Sequence, residues 1–172
     1  MNKNVRIMLV EDNVEYREVV RLALEQSQGV ELTQQFGTAE IALRTLQGDL
    51  PNEQPDLVLL DLRLPGISGL EAIPGFRQRA PNTKIIVLTQ SDREQDVLRA
   101  IALGASGYLL KSATLDEITQ SIQTVMSGGA PLDKGVARFI LESLQTRLPQ
   151  DDDRPQLSER ELEIIQLLAE GL

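Results

Sequence analysis

An α/β fold is predicted: a doubly wound, five-stranded parallel sheet with helices on both faces. Three observations in the 172-residue chain carry this. Short apolar runs alternate with helical patterns through the first two-thirds. Three of the runs, VRIMLV, DLVLL and KIIVLT, are apolar on both sides of the pleat, as strands covered by helices on both faces must be. Polar residues stand directly after these runs, which is where doubly wound sheets bind ligands.

Strands are expected at 5–10, 30–36, 56–60, 84–89 and 107–110, and helices at 14–26, 38–47, 70–79, 92–103 and 115–127. Two helix starts carry the pattern of a capping box, Ser91 with Glu94 and Thr114 with Glu117. Pro74 and Gly75 should kink the third helix or shift its start. After residue 127 the segment SGGAPLD breaks the pattern. A helix is expected at 133–148, followed by PQDDDRPQ, whose acidic run Asp151 to Asp153 reads as solvated linker.

The last segment is LSERELEIIQLLAEGL. Ser158 and Glu161 fit a capping box, Leu157 and Leu162 a hydrophobic staple, and Gly171 a C-terminal stop. Leu162, Ile165, Leu168 and Ala169 form an apolar stripe, which a lone helix cannot bury by itself. The expected organisation is a domain over 1–127, a linker over 128–156 and one further helix over 157–172.

Composition narrows the chemistry. Hydrophobic residues make up 41% and aromatics only 3%, so the core must be aliphatic. The chain has no cysteine and no histidine, which excludes disulfides, thiolate zinc sites and an imidazole base. No apolar stretch approaches the ~20 residues of a membrane span, and the start is unlike a signal peptide. A cytoplasmic protein with no membrane partner is expected. The net charge of −9 argues against nonspecific binding to nucleic acid or anionic lipid.

The strand ends carry Glu11 and Asp12, then Asp61, Thr89 and Lys111. If the first and third strands are neighbours, three carboxylates converge. Two unit charges ~4 Å apart repel by about 4 kcal/mol at an effective dielectric near 20. Oxygen donors of this kind suit a hard cation, and Mg²⁺ takes one or two carboxylates while keeping several waters. A cation, an ammonium and a hydroxyl around one carboxylate make a setting for a phosphoryl group. Pro65, Gly66 and Gly69 let the backbone pass close to Asp61.

In order along the chain, the acidic pair, DLRLPGISG, Thr89 and GYLLK resemble the receiver domain of bacterial two-component response regulators of the NarL/FixJ subfamily, over roughly residues 5–127. The resemblance implies the flavodoxin-like strand order 2-1-3-4-5. It implies that Asp61 accepts a phosphoryl group from a sensor histidine kinase. Asp12, Asp61 and the Arg63 carbonyl would hold Mg²⁺, with Glu11 acting through water. Lys111 would contact the phosphoryl group, and Thr89 and Tyr108 would form the switch pair, with Tyr108 turning inward on phosphorylation. Arg63 and Ser91 would tune the lifetime of the phosphoryl group. A homodimer would form on phosphorylation.

The tail resembles the first helix of a LuxR-type helix-turn-helix domain. The recognition helix of that domain is not in the sequence, so a truncated transcription regulator is expected, with DNA bound only through the missing part. An enzyme with turnover is disfavoured, because Arg63 stands where a haloacid-type phosphatase carries its second Asp. The remaining alternative is a degenerate receiver that signals by oligomerisation without phosphorylation.

Overall fold

The structure, a computed structural model, describes residues 3–48, 52–132, 134–147 and 158–169. Strands and helices alternate as β1 (Val5–Val10), α1 (Val14–Glu25), β2 (Val30–Phe36), α2 (Ala39–Gly48), β3 (Leu57–Leu60), α3 (Gly69–Arg79), β4 (Lys84–Thr89), α4 (Glu94–Leu103), β5 (Gly107–Leu110) and α5 (Leu115–Met126). Two more helices follow, α6 (Lys134–Arg147) and α7 (Glu159–Ala169). The linker PQDDDRPQ, the two ends expected for the 133–148 helix, the staple residue Leu157 and the stop at Gly171 lie outside the described residues.

The sheet is parallel throughout, in the order β2-β1-β3-β4-β5. This is the expected doubly wound arrangement. Alternate residues of the central strands feed two separate cores. Met8, Val10, Val58, Leu60, Ile85 and Val87 pack with the inner faces of α2, α3 and α4. Ile7, Leu9, Leu57, Leu59, Ile86 and Leu88 pack with α1 and α5. Strand β2 alternates between buried and open positions, as an edge strand should.

The other edge is covered in a way the sequence does not announce. The segment read as a chain break runs beside β5: the Tyr108 N–H donates to the Pro131 carbonyl at 3.2 Å, and Leu132 bridges to Tyr108. A side chain at Gly107 would collide with Pro131, so glycine is what lets this segment lie close.

Helix starts correct one expectation and confirm two. Thr114 with Glu117 and Ser158 with Glu161 form their capping boxes. Ser91 caps nothing. The cap residue of α4 is Arg93, with no side-chain bond, and the Ser91 hydroxyl donates to Asp96 Oδ2 at 2.5 Å instead. Strand β4 ends early enough to leave Ser91 buried beneath the helix rather than at its end. A box that the sequence reading missed, Ser68 with Glu71, starts α3. This strong start sets α3 one residue earlier than expected, and the helix continues through Pro74, which removes only one N–H from its ladder.

Helix α6 adds Val136 and Ile140 to the core on the α4 side. Helix α7 rests Ile164 and Leu168 against the same cluster, and the Arg160 guanidinium donates to the Ala105 carbonyl at 3.3 Å. The docked face is therefore rotated from the expected stripe, and Leu162 stays about half exposed, at 49%. The i, i+4 pair Ile164 and Leu168 sits on one side of the helix, whereas Leu162 points away from it.

Leu59 is fully buried at the centre of β3. Leu59→Ala should lower unfolding free energy by about 2–5 kcal/mol, measured by urea denaturation.

Candidate functional site

The winding of the sheet reverses between β1 and β3, and their register delivers two acids to the same place. Val10 stands opposite Leu60. The next residues, Glu11 and Asp61, leave the sheet side by side, and the Asp61 N–H donates to the Val10 carbonyl at 3.1 Å. On the far side of β4, the Lys111 N–H donates to the Thr89 carbonyl at 2.8 Å, so the lysine starts level with the end of that strand.

Its side chain crosses to the acids. Lys111 Nζ lies 2.5 Å from Glu11 Oε2 and 3.0 Å from Asp61 Oδ2. All three are deeply placed: Glu11 is 1% and Asp61 4% exposed, and the lysine side chain 11%. Burial pulls the Lys111 ammonium towards losing its proton, but its bonds to Glu11 and Asp61 outweigh this and hold it above its ordinary range. Burial pushes the Glu11 carboxyl above the usual range. Its bonds to Lys111 and to the Asn13 N–H oppose the shift, and the Asp61 charge adds to it.

Asp12 is exposed at the mouth of the pocket. One oxygen each from Glu11, Asp12 and Asp61 lies within 4.8 Å of the others. Lys111 bridges two of these carboxylates, Glu11 and Asp61, and the third, Asp12, forms no ion pair among the described residues, so negative charge is left over. The donors are all oxygen, and neither histidine nor cysteine exists in the chain. This set fits a hard divalent cation.

The loop after β3 is held from two sides. The Arg63 N–H donates to Asp61 Oδ1 at 3.2 Å, while the Arg63 side chain is exposed. Glu40, from α2, accepts the Ile67 N–H at 2.8 Å. Gly66 has φ 78°, and a side chain there would strike the Glu40 carboxylate. A side chain at Gly69 would run into the Asp61 carbonyl and come 2.8 Å from the Leu62 Cα. The glycines thus let the loop fold back under Asp61, as the spacing suggested.

Thr89 and Tyr108 are fully buried, and Ser91 joins them. The Ser91 N–H donates to Thr89 Oγ1 at 3.3 Å, and the Tyr108 hydroxyl donates to the Ser91 carbonyl at 2.7 Å. The Tyr108 side chain lies wholly inside the fold. Burial first, then the nearby Asp96 charge, pushes its hydroxyl pKa up to about 12. Ser91, read from the sequence as a tuning residue and a helix cap, is buried and links Thr89 to Tyr108 by hydrogen bonds.

Tyr16, Asn13 and Asp96 were missed. Asn13 is the cap of α1, accepting the Tyr16 N–H at 2.8 Å. An asparagine just before an apolar helical pattern was a usable signal for that. Tyr16 lies over Lys111, its ring centroid 4.7 Å from Nζ, and nothing local in the sequence indicates this contact.

Residues 7–123 match the family described as the response regulator receiver domain. The chain belongs to the response regulators, of the NarL/LuxR type. It is 33% identical over 168 residues to the nitrate/nitrite response regulator NarP of Escherichia coli K12, covering 97% of this chain and 75% of the relative. The structure of a LuxR-family two-component response regulator from Aurantimonas sp. SI85-9A1 is similar at a TM-score of 0.75 and 31% identity, over 83% of this chain and 99% of that one. A CheY-like receiver domain from Methanospirillum hungatei JF-1 shares the fold, at a TM-score of 0.65 and 23% identity, over 73% of this chain and 96% of that one. No helix among the described residues of this response regulator is long and apolar enough to cross a membrane.

Replacing Lys111 by Met removes the cation between Glu11 and its neighbour. Without divalent cation at pH 7, Lys111→Met should lower stability by about 1–3 kcal/mol, moderated because the pocket opens to water at Asp12. The pH dependence has a defined sign. Glu11 already sits above its unfolded value, and losing the ammonium raises it further. A raised carboxyl takes its proton in the folded state first, so lower pH favours folding. The deficit should therefore shrink between pH 7 and 5, measured by urea denaturation across that range.

Proposed function

We propose that this response regulator is a phosphoacceptor switch of a two-component relay, with Asp61 as the residue modified. The observation that carries the proposal is the buried Lys111 bridge between Glu11 and Asp61 at the reversal point of the sheet, beside a third carboxylate. A rigid strand end presents a carboxylate oxygen, and a fixed ammonium waits beside it.

Asp12, Asp61 and the Arg63 carbonyl would hold Mg²⁺. Both Glu11 oxygens already accept bonds from the chain, which suits a role for Glu11 through water. When bound, the ion supplies positive charge to the oxygens of a phosphoryl group. An Asp61 Oδ attacks the phosphorus of a phosphohistidine on a sensor kinase. The P–O bond forms as the P–N bond breaks, and the imidazole nitrogen keeps the electron pair and takes a proton from water. Lys111 transfers part of its contact from the esterified carboxylate to phosphoryl oxygens, and the Thr89 hydroxyl donates to another.

The output runs through the hydrogen bonds from Thr89 to Ser91 to Tyr108. A Thr89 hydroxyl turned to a phosphoryl oxygen weakens its contact with the Ser91 N–H. Tyr108 exchanges between the inward site, bonded to Ser91, and an outward one, and the surface of α4, β5 and α5 changes with it. Arg63, exposed above Asp61, and Ser91 tune access of the hydrolytic water. Residues 1–127 form the receiver, 128–156 the linker, and 157–172 the first helix of a helix-turn-helix unit. Phosphorylation promotes a homodimer in the cytoplasm, and DNA is contacted through a helix-turn-helix unit to which α7 belongs.

Incubation with Mg²⁺ and acetyl phosphate should add one phosphoryl group by intact mass, and Asp61→Asn should abolish the gain. Omitting Mg²⁺ should slow it by at least tenfold, in line with the several kcal/mol such an ion supplies. An unmodified wild-type chain, under conditions that label a control receiver, would overturn the proposal.

A further inference from the structure

Lys111 is held by more than its two acids. Its ammonium has three N–H donors. Glu11 and Asp61 take bonds from below, and the face of Tyr16 covers another side, 4.7 Å from Nζ. The backbone fixes that ring. Asn13 accepts the Tyr16 N–H at 2.8 Å, and the Asn13 N–H donates to Glu11 Oε1 at 2.9 Å. Ring, cap and acid are therefore one rigid unit at the start of α1.

The ring, not the hydroxyl, is what the pocket uses. The Tyr16 hydroxyl is buried and bonds to no protein group among the described residues. Burial, then the charges of Glu11 and Asp61, pushes its pKa up to about 12, so it stays a neutral hydroxyl at physiological pH.

We propose that Tyr16 is a positioning residue for Lys111, its ring face steadying the ammonium as the lysine moves from the Asp61 carboxylate to the incoming phosphoryl oxygens. This rests on the phosphoacceptor reading of Asp61. The physical reason lies in the shape of the two attractions. A hydrogen bond to a carboxylate is directional and weakens steeply when the donor shifts. The attraction of a cation to a ring face is broad, so the ammonium can slide across it and stay held. The ring also keeps water off that side, and charge on the ammonium acts more strongly in the drier pocket. A leucine would fill much of the same space without the negative face.

The experiment compares the 172-residue wild-type chain, Tyr16→Leu and Tyr16→Phe, with Mg²⁺ and a series of acetyl phosphate concentrations, and Asp61→Asn as the blank. Intact mass gives the maximal rate and the half-saturating donor concentration for each. Tyr16→Leu should lose about tenfold in maximal rate, between the size of an exposed and of a fully desolvated cation–ring contact. Its Mg²⁺ affinity should stay within about twofold, because a lone ring contact to Lys111 adds no ligand to the acid cluster. Tyr16→Phe should restore the rate. In the unlabelled wild type, the Lys111 ε-methylene protons should show an upfield ring-current shift by NMR, which needs no variant to fold and which Tyr16→Phe retains.

A Leu variant as fast as wild type overturns this proposal and leaves the Asp61 reading intact. So does a Phe variant as slow as Leu, or ε-protons without the ring-current shift. If the wild type itself takes no phosphoryl group, the Asp61 reading falls first and the role of Tyr16 with it.

Discussion

The ammonium of Lys111 between Glu11 and Asp61 is the interaction on which the rest of the site depends. Two carboxylates that close together repel, and the parallel register of β1 and β3 gives them no way to separate. One buried cation makes the arrangement stable enough to fold while leaving the cluster short of positive charge. The charge left over is of the kind a hard cation would offset.

The surrounding structure keeps that cluster rigid. The strands cannot shift, since their side chains are buried in two cores at once. Glycines at 66 and 69 bring the loop backbone under Asp61, and Glu40 ties that loop to α2. Asn13 binds the start of α1 to Glu11. By contrast, α4 begins without a side-chain cap, held by Ser91 and Asp96. Capping boxes start α3 and α5. The helix beside Thr89 and Tyr108 thus lacks the side-chain cap that α1, α3 and α5 have, and its first turn is less firmly tied.

Most of the fold was legible because it rests on local pattern. Apolar runs such as VRIMLV and KIIVLT have one stable use, a covered parallel strand, and their spacing leaves room for a crossover helix each time. Thr114 with Glu117 was readable for the same reason, as both halves of the box lie within one turn. Ser91 misled because the same residue type caps helices and bridges buried elements, and only the position of β4 against α4 separates the two. The docked face of α7 was misjudged because four apolar stripe positions and Ile164 compete within one short helix, and the surface it meets decides between them.

The sequence by itself determined the chemical inventory: oxygen donors, a lysine and a threonine after the apolar runs and a tyrosine within the last one, with no imidazole or thiol to compete. It also determined the strand pattern, because periodicity is set within a few residues. Tertiary structure alone decided that Tyr16 lies over Lys111, that Ser91 joins Thr89 to Tyr108, that residues 130–132 cover the edge of β5 and that α7 rests on Ile164 and Leu168. These contacts join residues far apart in the chain or on different elements. Their geometry follows from how the helices settle on a twisted sheet, which no local run of residues encodes.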